Sequence, residues 1–446
     1  MGQSTVVRAR SRAAEVLGSW LLLLCGEIPK LMLRAVHKKS SMRWSALPCV
    51  AALTLSLASC SGNMNRLDHF AIMNRLDHFT IRIGKTVKIA ASYDYCWFPT
   101  VHQFSTGEIF TTMRMSPDDT NPEGEFSAYC LSKDGGQTWS RRYTLGAGAN
   151  TDAAYSQSPL EDGAFEVLGA GYYSLEASPP DPKTDFLVTL TKFLAPGTEV
   201  HQVRDARIHL SEPVQFVPAE FHATKTKDAS APEKVPAAQP YGAIVSGPGG
   251  EWLSTVYYTT ERDQRYSRLV LIRSMDHGRT WNETSVIAAL QANEKPWPWM
   301  GEEGPNEAGL VRLSESRLYC IFRTGNTAYM GEAWSFDGGK TWTPPTSSGF
   351  KGVAPHLRLM RNGLLACTFG RPRVMIMFST DEGKNWAGIT QIFDRSTTGY
   401  TDVIEVEPGK LLVVYDAIPD GGNPSLDSGK LTEHSIYGTF VEVLRR

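Results

Sequence analysis

Short apolar runs separated by glycine-containing turns recur from about residue 95 to the end of the chain. Runs such as 269–272 and 374–378 alternate with turns such as Arg361-Asn-Gly363 and Glu407-Pro-Gly409. Helical periodicity is hard to find after residue 80. Short apolar segments bounded by turn residues are typical of β-strands. The pattern therefore predicts an all-β chain.

These runs group into repeated units that each contain a strand, a turn and three further strands. Six units cover roughly residues 95–150, 160–212, 240–292, 305–350, 354–396 and 398–444. A strand-like segment at residues 79–90 precedes the first unit and could complete the last one. Repeats of this length predict a radial architecture, in which only short strand edges are left open. We predict a six-bladed β-propeller of four-stranded antiparallel blades.

An octapeptide, Ser-x-Asp-x-Gly-x-Thr/Asn-Trp, occurs four times, at residues 132–139, 274–281, 335–342 and 379–386. Its Asp can hydrogen-bond its own backbone, and its Gly supplies the positive φ of a tight turn. The Trp is a large apolar anchor. We interpret the four copies as hairpin turns of the scaffold and not as site residues. The second and sixth units lack a copy.

The first 80 residues have a different composition. A basic segment at Met42-Arg43 is followed by an apolar run at 48–58 and by Leu57-Ala58-Ser59-Cys60, which resembles a bacterial lipobox. Residues 1–60 are therefore predicted to be an export signal with an upstream extension, and the chain is predicted to be exported to the periplasm or outer surface with a lipid anchor at Cys60. An ordinary signal peptide, a chance apolar run and a second membrane segment at 20–25 are alternatives.

Residues 61–80 contain the heptapeptide Met-Asn-Arg-Leu-Asp-His-Phe twice and are interpreted as a linker, which leaves 81–446 for the propeller. The 45 basic and 47 acidic side chains nearly balance, so nothing favours nucleic acid as a partner. Four of the seven Cys lie after residue 80 without metal-ligand spacing, and we predict no metal and no cofactor. A monomer is expected.

Hairpin geometry selects candidate site residues. A hairpin returns the chain to where it began, so the start of each first strand and the end of each second strand meet at one mouth. Acids, arginines and aromatic residues gather at these positions: Trp97, Arg114, Asp118, Asp119, Tyr241, Tyr257, Tyr258, Glu307, Arg323, His356, Arg371, Arg373, Tyr400, Asp402 and Asp416. Burying such groups without a partner is costly, so their convergence favours a polar ligand.

The octapeptide is the Asp box, and the chain resembles the sialidase (neuraminidase) superfamily of BNR-repeat proteins over about residues 80–446. The resemblance implies an exo-α-sialidase-like hydrolase that releases terminal sialic acid from glycans with retention. Pro305-Asn-Glu307 and Phe322-Arg323 resemble the stretch that supplies a Glu and a carboxylate-binding Arg. Thr398-Gly-Tyr400 resembles the stretch with the nucleophilic Tyr.

Further site residues follow from the same resemblance. Arg371 or Arg373 matches another Arg of the carboxylate-binding triad, and Asp118 or Asp119 lies where the family has its acid/base Asp. The substrate-binding candidates are Arg323, Arg371 and Arg373, which this resemblance implies, and Arg114, Trp97, His356 and Asp402, which hairpin geometry selects. A carboxylate at the anomeric carbon would repel a carboxylate nucleophile, which explains a Tyr–Glu pair.

The sequence departs from the family at the start of the first unit. Where sialidases have Phe/Tyr-Arg-Ile-Pro, this chain has Cys96-Trp97-Phe98-Pro99, so Trp97 stands in place of the first triad Arg. Arg114 could substitute for it. Two alternatives follow: a glycosidase or lyase that acts on a uronic or neutral sugar, or a surface protein that binds carbohydrate without catalysis.

Overall fold

A computed structural model describes residues 79–93, 96–115, 126–145, 154–156, 160, 162–169, 184–194, 200–218, 234–291, 293–371, 373–418 and 433–445. The chain divides into two units, Met1–Met64 and Asn65–Arg446, and all described residues belong to the second. The export signal, Cys60 and most of the linker lie outside the described residues. No helix in the described part of the chain is suited to crossing a membrane.

The described residues contain strands and no helix, so the all-β prediction is confirmed. In chain order the strands are β1 (Phe79–Tyr93), β2 (Cys96–Gln103), β3 (Ile109–Met115), β4 (Phe126–Ser132), β5 (Tyr143–Thr144), β6 (Ala154–Ser156), β7 (Phe165–Gly169), β8 (Asp185–Phe193), β9 (His201–His209), β10 (Phe216–Pro218), β11 (Lys234–Pro236), β12 (Ala238–Ser246), β13 (Trp252–Tyr258), β14 (Arg268–Ser274), β15 (Thr280–Ala288), β16 (Asn306–Arg312), β17 (Leu318–Arg323), β18 (Tyr329–Ser335), β19 (Thr346–Lys351), β20 (Val353–Leu359), β21 (Leu365–Gly370), β22 (Val374–Ser379), β23 (Ala387–Phe393), β24 (Thr401–Glu407), β25 (Lys410–Ala417) and β26 (Glu433–Arg445).

Most sheets are four-stranded and antiparallel. Their strand orders are β2-β3-β4-β5, β16-β17-β18-β19, β20-β21-β22-β23 and β1-β26-β25-β24. The segment before the first unit thus pairs with the last strand of the chain, as the sequence suggested. Two further antiparallel groups, β6 to β9 and β12 to β15, form one sheet that closes on itself through the parallel pairs β6–β12 and β9–β15. Strands β10 and β11 form a separate small hairpin.

Hydrophobic clusters join each group of strands to the next one along the chain. One cluster joins β2–β4 to β7–β8, the next joins β7–β9 to β12–β15, and a third joins β12–β14 to β16–β18. Three further clusters continue the series. They join β16–β17 to β20–β22, β21–β23 to β24–β26, and β24–β26 back to β2–β4. In the sheets that begin with β16, β20 and β24, this first strand is buried. Strand β19, the fourth strand of its sheet, is largely exposed. The packed core therefore lies on the side of the first strands.

The Asp boxes fold as the sequence predicts. In the box at 335–342, the Ser335 hydroxyl accepts a hydrogen bond from the Gly339 amide at 2.8 Å, and the Asp337 carboxylate accepts one from the Thr341 amide at 2.9 Å. The hydrogen bond from the Thr341 hydroxyl contributes most to lowering the pKa of Asp337 to about 2. The other three boxes repeat these bonds. They stabilise the turn between a third and a fourth strand.

One buried carboxylate outside the boxes gives the scaffold a pH-dependent stability. Glu332 on β18 is 8% exposed and accepts a hydrogen bond from the Tyr319 hydroxyl at 2.8 Å. Burial raises the pKa of Glu332 from 4.5 to about 7. The pKa of Glu332 is about 7 in the folded protein and 4.5 in the unfolded chain. The protonated carboxyl group therefore contributes its full stability below pH 4.5, and this contribution is lost as the pH rises through 7.

We expect Glu332→Gln to stabilise the full-length chain at pH 8 and not at pH 4.5. The amide removes a buried charge and still accepts from Tyr319, so the free energy of unfolding should rise by up to about 3 kcal/mol at pH 8. Chemical denaturation at both pH values measures this. Glu315→Gln, at an exposed turn, is the control and should change neither value. A gain that is the same at both pH values would contradict the assignment.

Candidate functional site

The mouth residues of the fourth and sixth units meet as hairpin geometry predicts. Glu307 follows the first residue of β16, and Arg323 ends β17, directly opposite Asn306 in the antiparallel ladder. Tyr400 immediately precedes β24. A register shift between Asn306 and Ala308 marks a bulge at Glu307. Bulges re-aim side chains, and this one lies where the glutamate meets the arginine and the tyrosine.

Tyr400, Glu307 and Arg323 form one hydrogen-bonded cluster. The Tyr400 hydroxyl donates to Glu307 Oε1 at 2.5 Å. Arg323 Nη1 donates to both oxygens of Glu307, at 3.0 and 2.9 Å. Glu307 and Arg323 are 6% and 7% exposed, so the pair is screened little by water. The arrangement fixes the glutamate between a phenol and a guanidinium.

The electrostatics of this cluster keep the phenol protonated and the arginine charged. Burial, and next the charge of Glu307, raise the pKa of Tyr400 well above its ordinary value, and Arg323 opposes them. Burial alone would lower the pKa of Arg323, but the negative charges of Glu307 and its neighbours outweigh it and raise that pKa. Tyr400 therefore keeps its proton unless a base in direct contact accepts it, and Glu307 is the carboxylate in contact with its hydroxyl.

Arg371 joins this cluster from the end of the fifth unit's second strand. Its Nε donates to the backbone oxygen of Thr398 at 2.6 Å, and its Nη1 donates to Asn326 Oδ1. Thr398 is held in turn by the buried Asp416, which accepts from the Thr398 amide at 2.9 Å. Burial raises the pKa of Asp416 to about 6. The loop that carries Tyr400 is thus held at Thr398 by Arg371 and by Asp416.

Aromatic rings line the mouth around Tyr400. Phe98 packs edge-on against Tyr400 with ring centroids 4.4 Å apart. Phe98 has a φ of 52° at a bulge between Trp97 and Thr100, which turns its ring toward Tyr400. Trp97 lies beside Phe98 and donates its indole N–H to His434 Nδ1 at 2.9 Å. Trp97, which stands in place of an expected arginine, is therefore part of an aromatic wall.

Asp402 lies deeper in the protein than a direct ligand contact requires, and His356, which is 7% exposed, lies beside it. His356 Nδ1 is 3.7 Å from Asp402 Oδ1, and burial lowers the pKa of His356 to about 4. Asp402 is 1% exposed and accepts from the backbone amides of Val101 at 2.7 Å and Val403 at 2.6 Å. Asp402 thus joins β24 to β2 beneath the mouth, which makes it a support of the site.

The structure separates some candidates that the sequence placed together. Arg373 is exposed and donates to Gln391 on the fourth strand of its sheet at 2.6 Å, away from the Tyr400 cluster. Tyr258 was expected at the mouth, but strand alternation buries it in the core, where its hydroxyl donates to Glu283 at 3.0 Å. Arg114 lies opposite Trp97 in the β2–β3 ladder and is partly buried. Asp118 and Asp119 lie outside the described residues.

Two cluster members were missed by the sequence interpretation. Glu303 Oε1 accepts from Arg323 Nη2 at 2.6 Å, and Asn326 Oδ1 accepts from the same nitrogen at 3.0 Å. Glu303 precedes β16 and Asn326 follows β17, so the hairpin rule applied a few residues further would have included both. Among the described residues, no group of three or more His, Cys, Asp and Glu side chains is arranged to hold a metal ion. The four described cysteines are buried and unpaired.

Comparisons with known proteins agree with the repeat pattern. A family model described as a BNR repeat-like domain matches residues 224–413. The matched segment contains three of the four Asp boxes, so the match agrees with the repeat that the sequence predicts. No curated protein matches the sequence.

Several solved structures are similar to this chain. A protein of unknown function from Dyadobacter fermentans has 22% identity and a TM-score of 0.57, with 82% of this chain and 99% of that chain covered. An α-L-arabinofuranosidase from Fusarium graminearum has 13% identity and a TM-score of 0.51, with 81% and 98% covered. A sialidase from Streptococcus pneumoniae has 13% identity and a TM-score of 0.46, with 79% and 70% covered. The first two show a common fold and leave the substrate open.

Proposed function

We propose that this chain is a retaining glycoside hydrolase in which Tyr400 is the nucleophile and Glu307 its base. The observation that carries the proposal is the 2.5 Å hydrogen bond from the Tyr400 hydroxyl to Glu307, with Arg323 on the other side of the carboxylate. A nucleophile in contact with a base that is oriented by a third group is the usual signature of covalent catalysis. Neighbouring aromatic rings supply apolar surface for a sugar face.

The scaffold we propose for this site is a six-bladed β-propeller. Six four-stranded groups, joined in order by hydrophobic clusters with the last group packed on the first, support this arrangement. In a propeller the first strands line the axis, which agrees with their burial. The mouth that contains Tyr400 would then be one open end of that axis.

The proposed reaction has two displacement steps. The Tyr400 oxygen bonds to the anomeric carbon while the glycosidic bond breaks, and the phenolic proton passes to Glu307. Asp118 or Asp119 is proposed to protonate the leaving oxygen in the first step and to take a proton from water in the second. That water bonds to the anomeric carbon while the bond to the Tyr400 oxygen breaks, and Glu307 returns its proton to the tyrosine oxygen. Two inversions give net retention. Arg323 orients Glu307 before the first step through its two hydrogen bonds to the carboxylate.

For the substrate we propose a terminal sialic acid first and a uronic or neutral sugar second. Arg323 and Arg371 converge on one oxygen acceptor, which supports binding of a sugar carboxylate. Trp97 in place of the first triad arginine favours the second candidate, because an aromatic ring offers no charge to a carboxylate. Export with lipidation at Cys60, and a monomeric state, are proposed on the sequence alone.

Hydrolysis by the full-length chain tests the proposal. The fluorogenic substrates are an α-sialoside, a β-glucuronide and an α-L-arabinofuranoside, and NMR of the first product anomer reports the stereochemistry. We expect release from at least one substrate with retention. Release from the sialoside would favour the first candidate, and release from either of the others the second. Glycan binding without release from any substrate would overturn the hydrolase assignment in favour of a binding protein.

A further inference from the structure

One amide oxygen occupies the point where the two arginines of the mouth converge. Asn326 Oδ1 accepts a hydrogen bond from Arg323 Nη2 at 3.0 Å and a second one from Arg371 Nη1. Arg323 belongs to the fourth unit and Arg371 to the fifth, and Asn326 connects them through these two hydrogen bonds. An oxygen acceptor held by two guanidinium groups has the coordination that a sugar carboxylate oxygen would have there.

The charges of these arginines are already balanced by the protein. Arg323 donates to two carboxylates, Glu307 and Glu303, and both of its terminal nitrogens are used. Arg371 directs its Nε to the backbone oxygen of Thr398. The two positive charges of Arg323 and Arg371 are therefore balanced by the carboxylates of Glu303 and Glu307. The charge of Glu302 also interacts with Arg323. A ligand carboxylate would find little excess positive charge while Asn326 stays in place.

Asn326 is exposed, but its backbone is fixed. Its amide donates to Glu302 Oε1 at 3.1 Å. The preceding Gly325 has no space for a side chain, because a Cβ there would lie 2.5 Å from Glu302 Oε2 and 3.1 Å from the Gly301 Cα. The side chain can be replaced or rotated toward solvent, whereas the loop that presents it cannot move without breaking the hydrogen bond from the Asn326 amide to Glu302. The position is therefore built to place one side chain over the arginines.

We propose that Asn326 competes with the carboxylate of an acidic sugar for Arg323 and Arg371, and so sets how tightly the mouth binds acidic sugars. The inference rests on the glycan-binding role proposed above, but not on turnover. A sugar carboxylate binds after the amide leaves, and the cost of breaking its two hydrogen bonds lowers the affinity. A sugar without a carboxylate does not need these arginines and is unaffected by residue 326.

The test compares binding of N-acetylneuraminic acid, glucuronic acid and methyl β-galactoside to the full-length wild type and two variants, by NMR titration. In Asn326→Ala the arginines are released, and we expect at least one acidic sugar to bind about tenfold more tightly, the effect of one charge-assisted hydrogen bond. Asn326→Asp replaces the amide with a carboxylate of the same shape, and acidic sugars should bind more weakly than to wild type. The galactoside should change less than twofold in both.

A double variant identifies the groups responsible. Asn326→Ala combined with Arg371→Ala should lose the gain, because one of the two released donors is absent. If Asn326→Ala binds neither acidic sugar more tightly than wild type, including the case in which no binding is seen, the proposal is wrong. An equal gain for the galactoside would also overturn it, since it would indicate steric relief alone. The titration measures binding and does not require hydrolysis. A chain that binds sugars but hydrolyses none would contradict the proposed reaction, and the effect of Asn326 on binding could still be tested.

Discussion

Replacement of Tyr400 by Phe is expected to abolish turnover and to leave the fold intact. The variant keeps the ring that packs 4.4 Å from Phe98 and removes only the oxygen that meets Glu307. Glu307 still has both hydrogen bonds from Arg323, so no buried charge is left unpaired. Loss of the nucleophile should lower kcat on the order of a thousandfold or more, while the free energy of unfolding changes by about 1 kcal/mol or less.

The measurement is kcat on the best substrate found, together with denaturant unfolding of the same samples. Tyr415→Phe is the matched control, since Tyr415 is fully buried and its hydroxyl bonds Thr439 at 2.8 Å, in the core of the last sheet. It should cost about 1 kcal/mol of stability and leave kcat unchanged. Full activity of Tyr400→Phe would exclude Tyr400 as the nucleophile, whatever the substrate.

The strands, the turns and the core of the candidate site could be predicted from the sequence because each depends on short-range rules. An Asp box closes its own turn within eight residues, so its hydrogen bonds do not depend on distant parts of the chain. The pairing of Glu307 with Arg323 depends only on a hairpin that returns to its start. Tyr400 reaches them because first strands begin at the same mouth in each unit.

Side-chain direction at the mouth could not be predicted, because single-residue bulges change the alternation of a strand. The bulge after Trp97 puts Phe98, and not Trp97, against Tyr400. Alternation without a bulge buries Tyr258 whereas its neighbour Tyr257 stays partly exposed. Nothing in the residue pattern marks where a bulge occurs.

Contacts between distant units were also beyond prediction from the sequence. Asp402 accepts from the Val101 amide, 301 residues away, and so serves as a support where the sequence suggested a ligand contact. Asn326 meets Arg371 across 45 residues, and neither residue type signals such a bridge. These contacts depend on how units pack, which turn chemistry and hydrophobic pattern do not specify.

A backbone contact beside the cluster gives the second large expected effect. Gly370 ends β21, next to Arg371, and Gly399 precedes Tyr400. A Cβ on Gly370 would lie 2.1 Å from the Gly399 oxygen and 2.2 Å from its Cα. These are main-chain atoms, and Thr398 beside them is held by Asp416 and Arg371, so the loop cannot yield without moving Tyr400. One methyl group should therefore disturb both the stability and the chemistry.

We expect Gly370→Ala to lower the free energy of unfolding by about 3 kcal/mol, at the upper end for overpacking. It should also lower kcat by about a hundredfold, because a displacement of about 1 Å at a nucleophile has that effect. Gly107→Ala is the control: its Cβ meets nothing within 4 Å, and its φ of 92° should cost about 1 kcal/mol of stability with no loss of activity. Unfolding curves and kcat of both variants decide the matter. If Gly370→Ala behaves like Gly107→Ala, the two glycine backbones do not meet, and the tyrosine owes its position to Glu307 and Phe98 alone.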